Sequence, residues 1–352
     1  MKLLRCRTCV MPARPDTYWQ DGECSACISH RNRRQVDWLA RKAGLLALLD
    51  KHDGRCIVPS SGGKDSTWQA LTLKELGADV TAVTAATCHL TPIGRANIDN
   101  LARHVRTIEV TPSKTVRAKL NRLSLEMVGD PSWPEHVSIH RTPFKVAADL
   151  CVPLVFYGEC PTAHYGGPPG SDDTMQMTQR WASEFAGFLG LRASDFVGME
   201  GLTERDMADY EAPDAGTLES VGVEAHFLGQ YLEWDSHRNA AVAEANGMRQ
   251  ELPSPANWWK AENLDNAQVL WHDRLMYLKY GFGRGCQQIS VDVRHGRVSR
   301  EAALEWVEQH DHLFPETYAG VTQAEMLDRI GMKRERLAEL LDRFTKKAIH
   351  AV

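Results

Sequence analysis

The sequence predicts an α/β fold: a parallel sheet with helices on both faces, preceded by a cysteine-bearing ribbon and followed by a helical extension. Three observations carry this. Short apolar runs alternate with amphipathic stretches between residues 56 and 158, a Gly-Gly loop joins the first run to the first amphipathic stretch, and four of the nine cysteines fall within the first 27 residues. Alternation of this kind is how parallel strands are connected, each crossover laying a helix against the sheet.

The elements follow in order. Cys6, Cys9, Cys24 and Cys27 are spaced C-x2-C-x14-C-x2-C. Two such knuckles can place four thiolates around a tetrahedral Zn2+, and with all four positions filled by sulfur the site reads as structural. Asp21-Gly22 between them is a hairpin turn signal. A module this short has little core, so metal supplies its folding energy. Apolar residues at helical spacing between positions 32 and 51 predict a helix that packs the module against the next domain. Strands are then expected at Ile57-Val58, 79–84, 107–110 and 153–158, with helices at 92–103, 113–127 and 142–150. Pro92 suits a first helical turn and Ser113 an N-cap. Ligands in such sheets bind at the carboxyl ends of the strands, which puts 61–66, 84–88 and 158–160 on one rim. Residues 159–225 read as an insertion or lid with helical pieces at 181–189 and 204–210, and 299–344 as helices opened by Ser299 and by a Thr322/Glu325 capping box.

The loop Pro59-Ser60-Ser61-Gly62-Gly63-Lys64-Asp65-Ser66-Thr67 has the make-up of a phosphate cradle. Gly62 and Gly63 let an anion approach the main chain, and the following helix points free N–H groups and its positive end at it. Ser61 and Ser66 offer hydroxyls and Lys64 a charge. The spacing is not that of a Walker loop. It resembles the SGGxDS loop of the PP-loop ATP pyrophosphatases, which implies binding of the ATP pyrophosphate and transfer of AMP to a substrate oxygen.

Bulk properties narrow the class. A net charge of −5 and a pI near 6.3 give no basic footprint, so nucleic acid is not an expected partner. No run of 18 apolar residues exists and the first six residues are too polar for a signal peptide, so the expectation is a cytoplasmic chain without membrane contact. Cysteines in that setting are metal ligands, catalytic thiols or core residues rather than disulfides.

Taken together, Cys6–Pro12, Gly22–Cys27, the 61–66 loop, Pro131–Pro134, Leu154–Glu159, Tyr165–Gly167, Tyr231–Asp235, Glu262–Asn266, His272-Asp273, Leu278–Arg284 and His295–Ala302 are similar to the N-acetyl sugar amidotransferases of bacterial surface-glycan (lipopolysaccharide) biosynthesis. The resemblance implies an acetamido oxygen of a sugar-type acceptor adenylated by Mg2+-ATP and displaced by ammonia to give an amidine. It also implies a separate glutaminase subunit, since Gly158–Thr162 lacks the second glycine of a nucleophile elbow and Pro161 removes an N–H. Self-association is compatible with it. On this reading Ser60, Ser61, Gly62, Gly63, Lys64, Asp65, Ser66, Thr84 and Gly158 hold ATP, Asp65 and Glu159 serve catalysis, and Tyr165, Asn263, Asp265, His272, Asp273 and Arg284 serve the acceptor. The chain divides into a zinc ribbon (1–31), a nucleotide domain (32–165), a lid and acceptor region (166–298) and C-terminal helices (299–352). Two positions depart from the pattern: Cys160 replaces an expected Asn, and Gly285-Cys286-Gln287 an expected Ala-Thr-Asp. They open an alternative, in which Cys160 and Cys286 form a sulfur-transfer pair acting on the same adenylated carbonyl; the plainer reading is two small core residues.

Overall fold

The computed structural model of the chain describes residues 3–14, 17–171 and 173–350. Residues 1, 2, 15, 16, 172, 351 and 352 lie outside the described set.

The cysteine module is a two-stranded hairpin, β1 (Trp19–Gln20) and β2 (Glu23–Cys24), leading into α1 (Ser25–Asn32). Its turn is Asp21-Gly22 as expected, both with positive φ (50° and 77°), the geometry that matches the twist of paired strands. The helix expected from 32 to 51 is broken: after a short 3-10 turn, Asp37 caps a new helix, α2 (Trp38–Lys51), by accepting from the amides of Leu39 and Ala40.

A five-stranded parallel sheet follows, built from β3 (Arg55–Pro59), β4 (Asp79–Ala85), β5 (Arg106–Val110), β6 (Leu154–Tyr157) and β7 (Glu224–Phe227) in the order β5-β4-β3-β6-β7. Its crossovers hold α3 (Lys64–Glu75), α4 (Pro92–Leu101), α5 (Lys114–Val128) and α6 (Trp133–Asp149). Pro92 stands in the first turn of α4, which Thr91 caps, and Ser113 caps α5. Strand alternation divides the core. Cys56, Val58, Val80, Ala82, Leu154 and Phe156 meet α2 and α3 on one face. Ile57, Val83, Val155 and Tyr157 meet α5 and α6 on the other. α6 begins nine residues before the expected helix, and Pro143 lies inside it.

Residues 159–223 carry α7 (Pro161–His164), α8 (Gln179–Phe185), α9 (Glu204–Met207) and α10 (Ala215–Val221). Met177, Trp181, Phe188, Phe196, Met207 and Tyr210 are buried in the α5/α6 core, so this stretch is part of the main body, and it ends in the edge strand β7, which sequence reading missed. α11 (Ser236–Ala245), α12 (Val269–Tyr280), α13 (Arg284–Arg294) and α14 (Arg300–His310) come next, then the ribbon β8 (Thr317–Tyr318) and β9 (Val321–Thr322) and helices α15 (Gln323–Ile330), α16 (Arg334–Phe344) and α17 (Lys347–His350). Ser299 caps α14, and the Thr322/Glu325 capping box is formed. No helix among the described residues is long and apolar enough to cross a membrane.

The cysteine module shares its core with Phe282, Cys286, Ile289, Ala303 and Val307. It therefore docks on α13 and α14, not chiefly on α2 as the sequence implied.

Candidate functional site

The four module sulfurs lie within 4.8 Å of one another, and all four residues are buried. Cys6–Cys27, Cys9–Cys24 and Cys24–Cys27 are separated by 3.8, 3.7 and 3.6 Å. A tetrahedron with Zn–S bonds of about 2.3 Å has an edge of about 3.8 Å, so the donor set and its spacing fit Zn2+. The amides of Thr8 and Cys24 donate to Cys6 Sγ (3.4 and 3.3 Å), and Arg300 Nε ties the carbonyls of Cys6 and Cys9 (3.1 Å each). Such second contacts orient thiolates and offset their charge.

The larger site lies at the carboxyl ends of β3, β4, β6 and β7, where the strand order reverses between β3 and β6. Open α/β sheets bind ligands at such switch points. A cavity of about 390 Å3 opens there, within the usual size range of small-molecule sites. Its floor is the 59–66 loop and the start of α3, its sides are α6 and the end of β6, and its roof is Ala261–Asn266. Backbone bonds stitch the roof to the segment before α4: Leu90 bridges Asn266, Thr91 N donates to Asp265 O (3.1 Å) and Ala267 N to His89 O (3.0 Å). Gly94 permits this approach, since a Cβ there would lie 2.4 Å from Asp265 Cα.

The loop is braced by its own hydroxyls. Ser60 Oγ accepts from Gly62 N and donates to Ser66 Oγ (3.0 Å each), and Ser66 Oγ donates to Gly63 O (3.3 Å). Gly63 is the N-cap of α3, and no side chain caps the helix, which leaves its first turn to a ligand. Gly62 has φ 73°, and its missing Cβ makes room for the α4 backbone at Asn97 and Ile98 rather than for an anion.

Charge is concentrated above the loop. Lys64 is buried, paired with Asp65, and 5.5 Å from the Trp259 ring. Asn239 Nδ2 holds the other Asp65 oxygen at 2.9 Å. Burial alone depresses the Lys64 pKa, but Asp65, Glu262 and Glu159 reverse this and the net shift is upward. Burial, reinforced by Asp65, lifts Glu159 to about 7, while Lys64 opposes the rise. Burial likewise lifts Asp265 to about 6. Asn263 sits in the roof with φ 56°, and its Nδ2 is buried with no protein partner; the buried Gln69 Oε1 on the cavity wall is also unpaired. Both are oriented polar groups left over for a ligand.

The cavity thus gathers Ser60, Ser61, Gly63, Lys64, Asp65, Ser66, Gly158, Glu159, Asn263 and Asp265 from the sequence-derived set. The others stand elsewhere. Thr84 is buried between Val83 and Ala85, which line the cavity, and so faces the opposite side of β4. Tyr165 is outside the wall, though Glu262, Glu159 and Asp65 add to the effect of burial in raising its pKa. His272 is bound to Asp130 (2.8 Å). Asp273 and Arg284 pair at 3.2 Å beside a separate void of about 20 Å3. Cys160 faces Thr162 and the Ser171 carbonyl, and Cys286 packs on the zinc module near Val10 and Arg5. Burial raises both thiol pKa values, and neither sulfur reaches the cavity. Sequence reading missed Glu135, which lines the cavity and accepts from Asn121 and Gln268 (2.8 Å each). It lies in the part of α6 hidden by the misplaced helix start.

Comparison with known proteins adds three findings. No curated protein matches the chain. Among solved structures, the predicted subunit of a tRNA methyltransferase from Methanocaldococcus jannaschii is 14% identical, with a TM-score of 0.29 over 54% of this chain and 74% of that one, too slight a likeness to argue from. Residues 258–351, which include the cavity roof and the helices that carry the zinc module, match the family model of the LPS biosynthesis protein WbpG-like C-terminal domain.

Proposed function

We propose that the chain is an ATP-dependent amidotransferase of surface-glycan assembly, which converts an acetamido group of a sugar-type acceptor into an acetamidino group. One observation carries the reading: the uncapped first turn of α3 and the braced 60–66 loop open into a cavity roofed by the segment that matches the WbpG-like domain. The amide oxygen of the acceptor attacks the α phosphorus of ATP and pyrophosphate leaves. Ammonia adds to the imidate carbon, AMP departs with the former amide oxygen, and a proton is released. The loop amides, Ser61 and Ser66 hold the phosphates. Lys64 and Asn239 fix Asp65, which orders the loop. Glu159, poised near neutrality, is suited to take the proton from the incoming ammonia. Asn263, Asp265 and Glu135 are placed to bind the acceptor. Mg2+ bound with the nucleotide would offset charge on the leaving pyrophosphate, and Glu159 and Glu262, on the cavity wall, are the carboxylates that would hold it. Burial under the roof keeps water from the imidate.

The test is incubation with ATP, ammonium and a panel of N-acetylated sugar nucleotides. Acceptor-dependent AMP, with product mass lowered by one unit as O becomes NH, is the expected result; failure to form AMP with any acceptor refutes the reading. A glutaminase partner supplies the ammonia, so glutamine alone should not support turnover by the isolated chain; if it does, that part falls.

A further inference from the structure

We propose that the aromatic side of the cavity, walled by α6, α8 and the ends of β6 and β7, binds a planar nitrogen heterocycle, the base of a nucleotide. The proposal rests on the chemistry above, which brings the adenine of ATP to this cavity and, with a nucleotide-linked acceptor, a second base.

Ile139, His140 and Pro143 of α6, Tyr157 of β6, Trp181 of α8 and Phe227 of β7 line this side. None of the six is a carboxylate, lysine or arginine, in contrast to Lys64, Asp65 and Glu159 around the loop. Tyr157, Trp181 and Phe227 are anchored in the α5/α6 core. Trp181 meets Phe227 edge to face with ring centres 4.8 Å apart. The His140 ring lies within 5° of parallel to Tyr157, with centres 5.5 Å apart. Rings held in this way offer flat faces that cannot swing aside, and bases are held by stacking on such faces.

The polar atoms on this side are few. The Tyr157 hydroxyl is spent on Ile139 O at 3.2 Å. His140 Nδ1 lies 2.9 Å from His136 O. A carbonyl only accepts, so Nδ1 carries the hydrogen. Burial pushes the ring down to about 4, which leaves it neutral with a bare lone pair on Nε2. With Nδ1 tied to the preceding turn of its own helix, Nε2 is turned away from that helix, and it hydrogen-bonds to no described residue. Trp181 Nε1 is buried and has no hydrogen-bond partner. One acceptor and one donor are therefore unspent among apolar walls. A sugar ring, with hydroxyls on most of its carbons, would leave the greater part of them unmet there. A base needs no polar partner on its faces and one or two along its edge, where a ring N–H or an exocyclic amine can donate to Nε2.

Titration calorimetry on the zinc-loaded full chain tests this. Wild type is compared with His140→Phe, which keeps the stack on Tyr157 and removes the lone pair. Two pairs of probes separate the sources of the base. One is Mg-ATP against purine riboside triphosphate, which lacks the 6-amino group. The other is uridine diphosphate against its 3-methyl derivative, which lacks the N3–H. Wild type should favour the donor-bearing member of one pair by about three- to tenfold, the worth of one hydrogen bond, and His140→Phe should bind both members alike. Preference within the first pair assigns this side to ATP, and within the second to the acceptor. Ile139→Glu, at a position already 43% exposed, is the second variant. Its charge beside the rings should weaken the favoured probe about tenfold. Melting temperatures check that both variants fold. No preference within either pair in wild type, or a preference that survives in His140→Phe, overturns the inference. A wild-type chain that binds none of the four probes overturns the adenylation reading itself.

Discussion

Alanine at Gly62 or at Gly63 separates packing from ligand binding within one loop. At Gly62 the new Cβ would stand 2.6 Å from Ile98 N, 2.7 Å from Asn97 C and 2.9 Å from Ile98 Cα. All three are backbone atoms of α4 and cannot rotate away. The residue also has φ 73°, which costs an L-amino acid roughly 1–2 kcal/mol. Overpacking adds about 1–3 kcal/mol, for a total of about 2–5 kcal/mol. At roughly 2 °C per kcal/mol for a chain of this size, Gly62→Ala should lower the melting temperature by about 4–10 °C. Gly63 has φ −75°, and the nearest atom to its Cβ is Ser61 Oγ at 3.3 Å, the tip of an exposed side chain. Gly63→Ala should therefore cost under about 1 kcal/mol, yet its methyl stands on the cavity wall and should weaken ATP binding about tenfold or more. Scanning calorimetry gives the first quantity and titration calorimetry with ATP the second. Equal melting of Gly62→Ala and wild type, or a Gly63→Ala protein that is strongly destabilised and binds ATP normally, would refute this division of labour.

Three further outcomes are expected. Cys9→Ser, or a strong chelator, should remove one zinc per chain by metal analysis and expose the 3–32 backbone to hydrogen exchange, while the sheet amides stay protected; retention of zinc by the variant would count against a four-sulfur site. Glu159 has a folded-state pKa raised from 4.5 to about 7, so its ionisation destabilises the fold. The penalty is absent below pH 4.5, grows between there and 7, and is complete above. Glu159→Gln should accordingly be more stable than wild type by about 1–3 kcal/mol at pH 8 and no more stable at pH 4, read from melting temperatures across that range; a pH-independent difference would count against the buried carboxylate. Cys160→Ala and Cys286→Ala should both keep acceptor-dependent AMP formation and the nitrogen-containing product, whereas loss of turnover with normal folding would revive sulfur transfer.

The elements the sequence made legible are those with local signals. β3 through α5 were found because Pro92, Ser113 and the apolar runs act on their own neighbours, and the zinc module because cysteine spacing states its own geometry. What escaped depends on distant contacts. β7 is only four residues long and is a strand because β6 lies beside it. α6 was started late: its first turns, from Trp133, precede the stretch 142–150 read as helical. Among site residues, the loop and Glu159 were readable from their place after a strand. Glu135 was not, since only the fold brings Asn121 and Gln268 to it. Thr84 was assigned to the rim by position alone, and the alternation of side chains along β4 turned it away. Cys286 was read as a candidate thiol, but its neighbours are the zinc knuckle and Arg5.

The backbone bonds that join residues 89–91 to 265–267 set an order in time. A chain still emerging from the ribosome carries the glycine turn long before the segment that closes over it has been made. Until residues 261–267 are made, the loop stands open to solvent without its roof. In the proposed reaction, which depends on a dry chamber, turnover would begin only once that segment has folded over the loop.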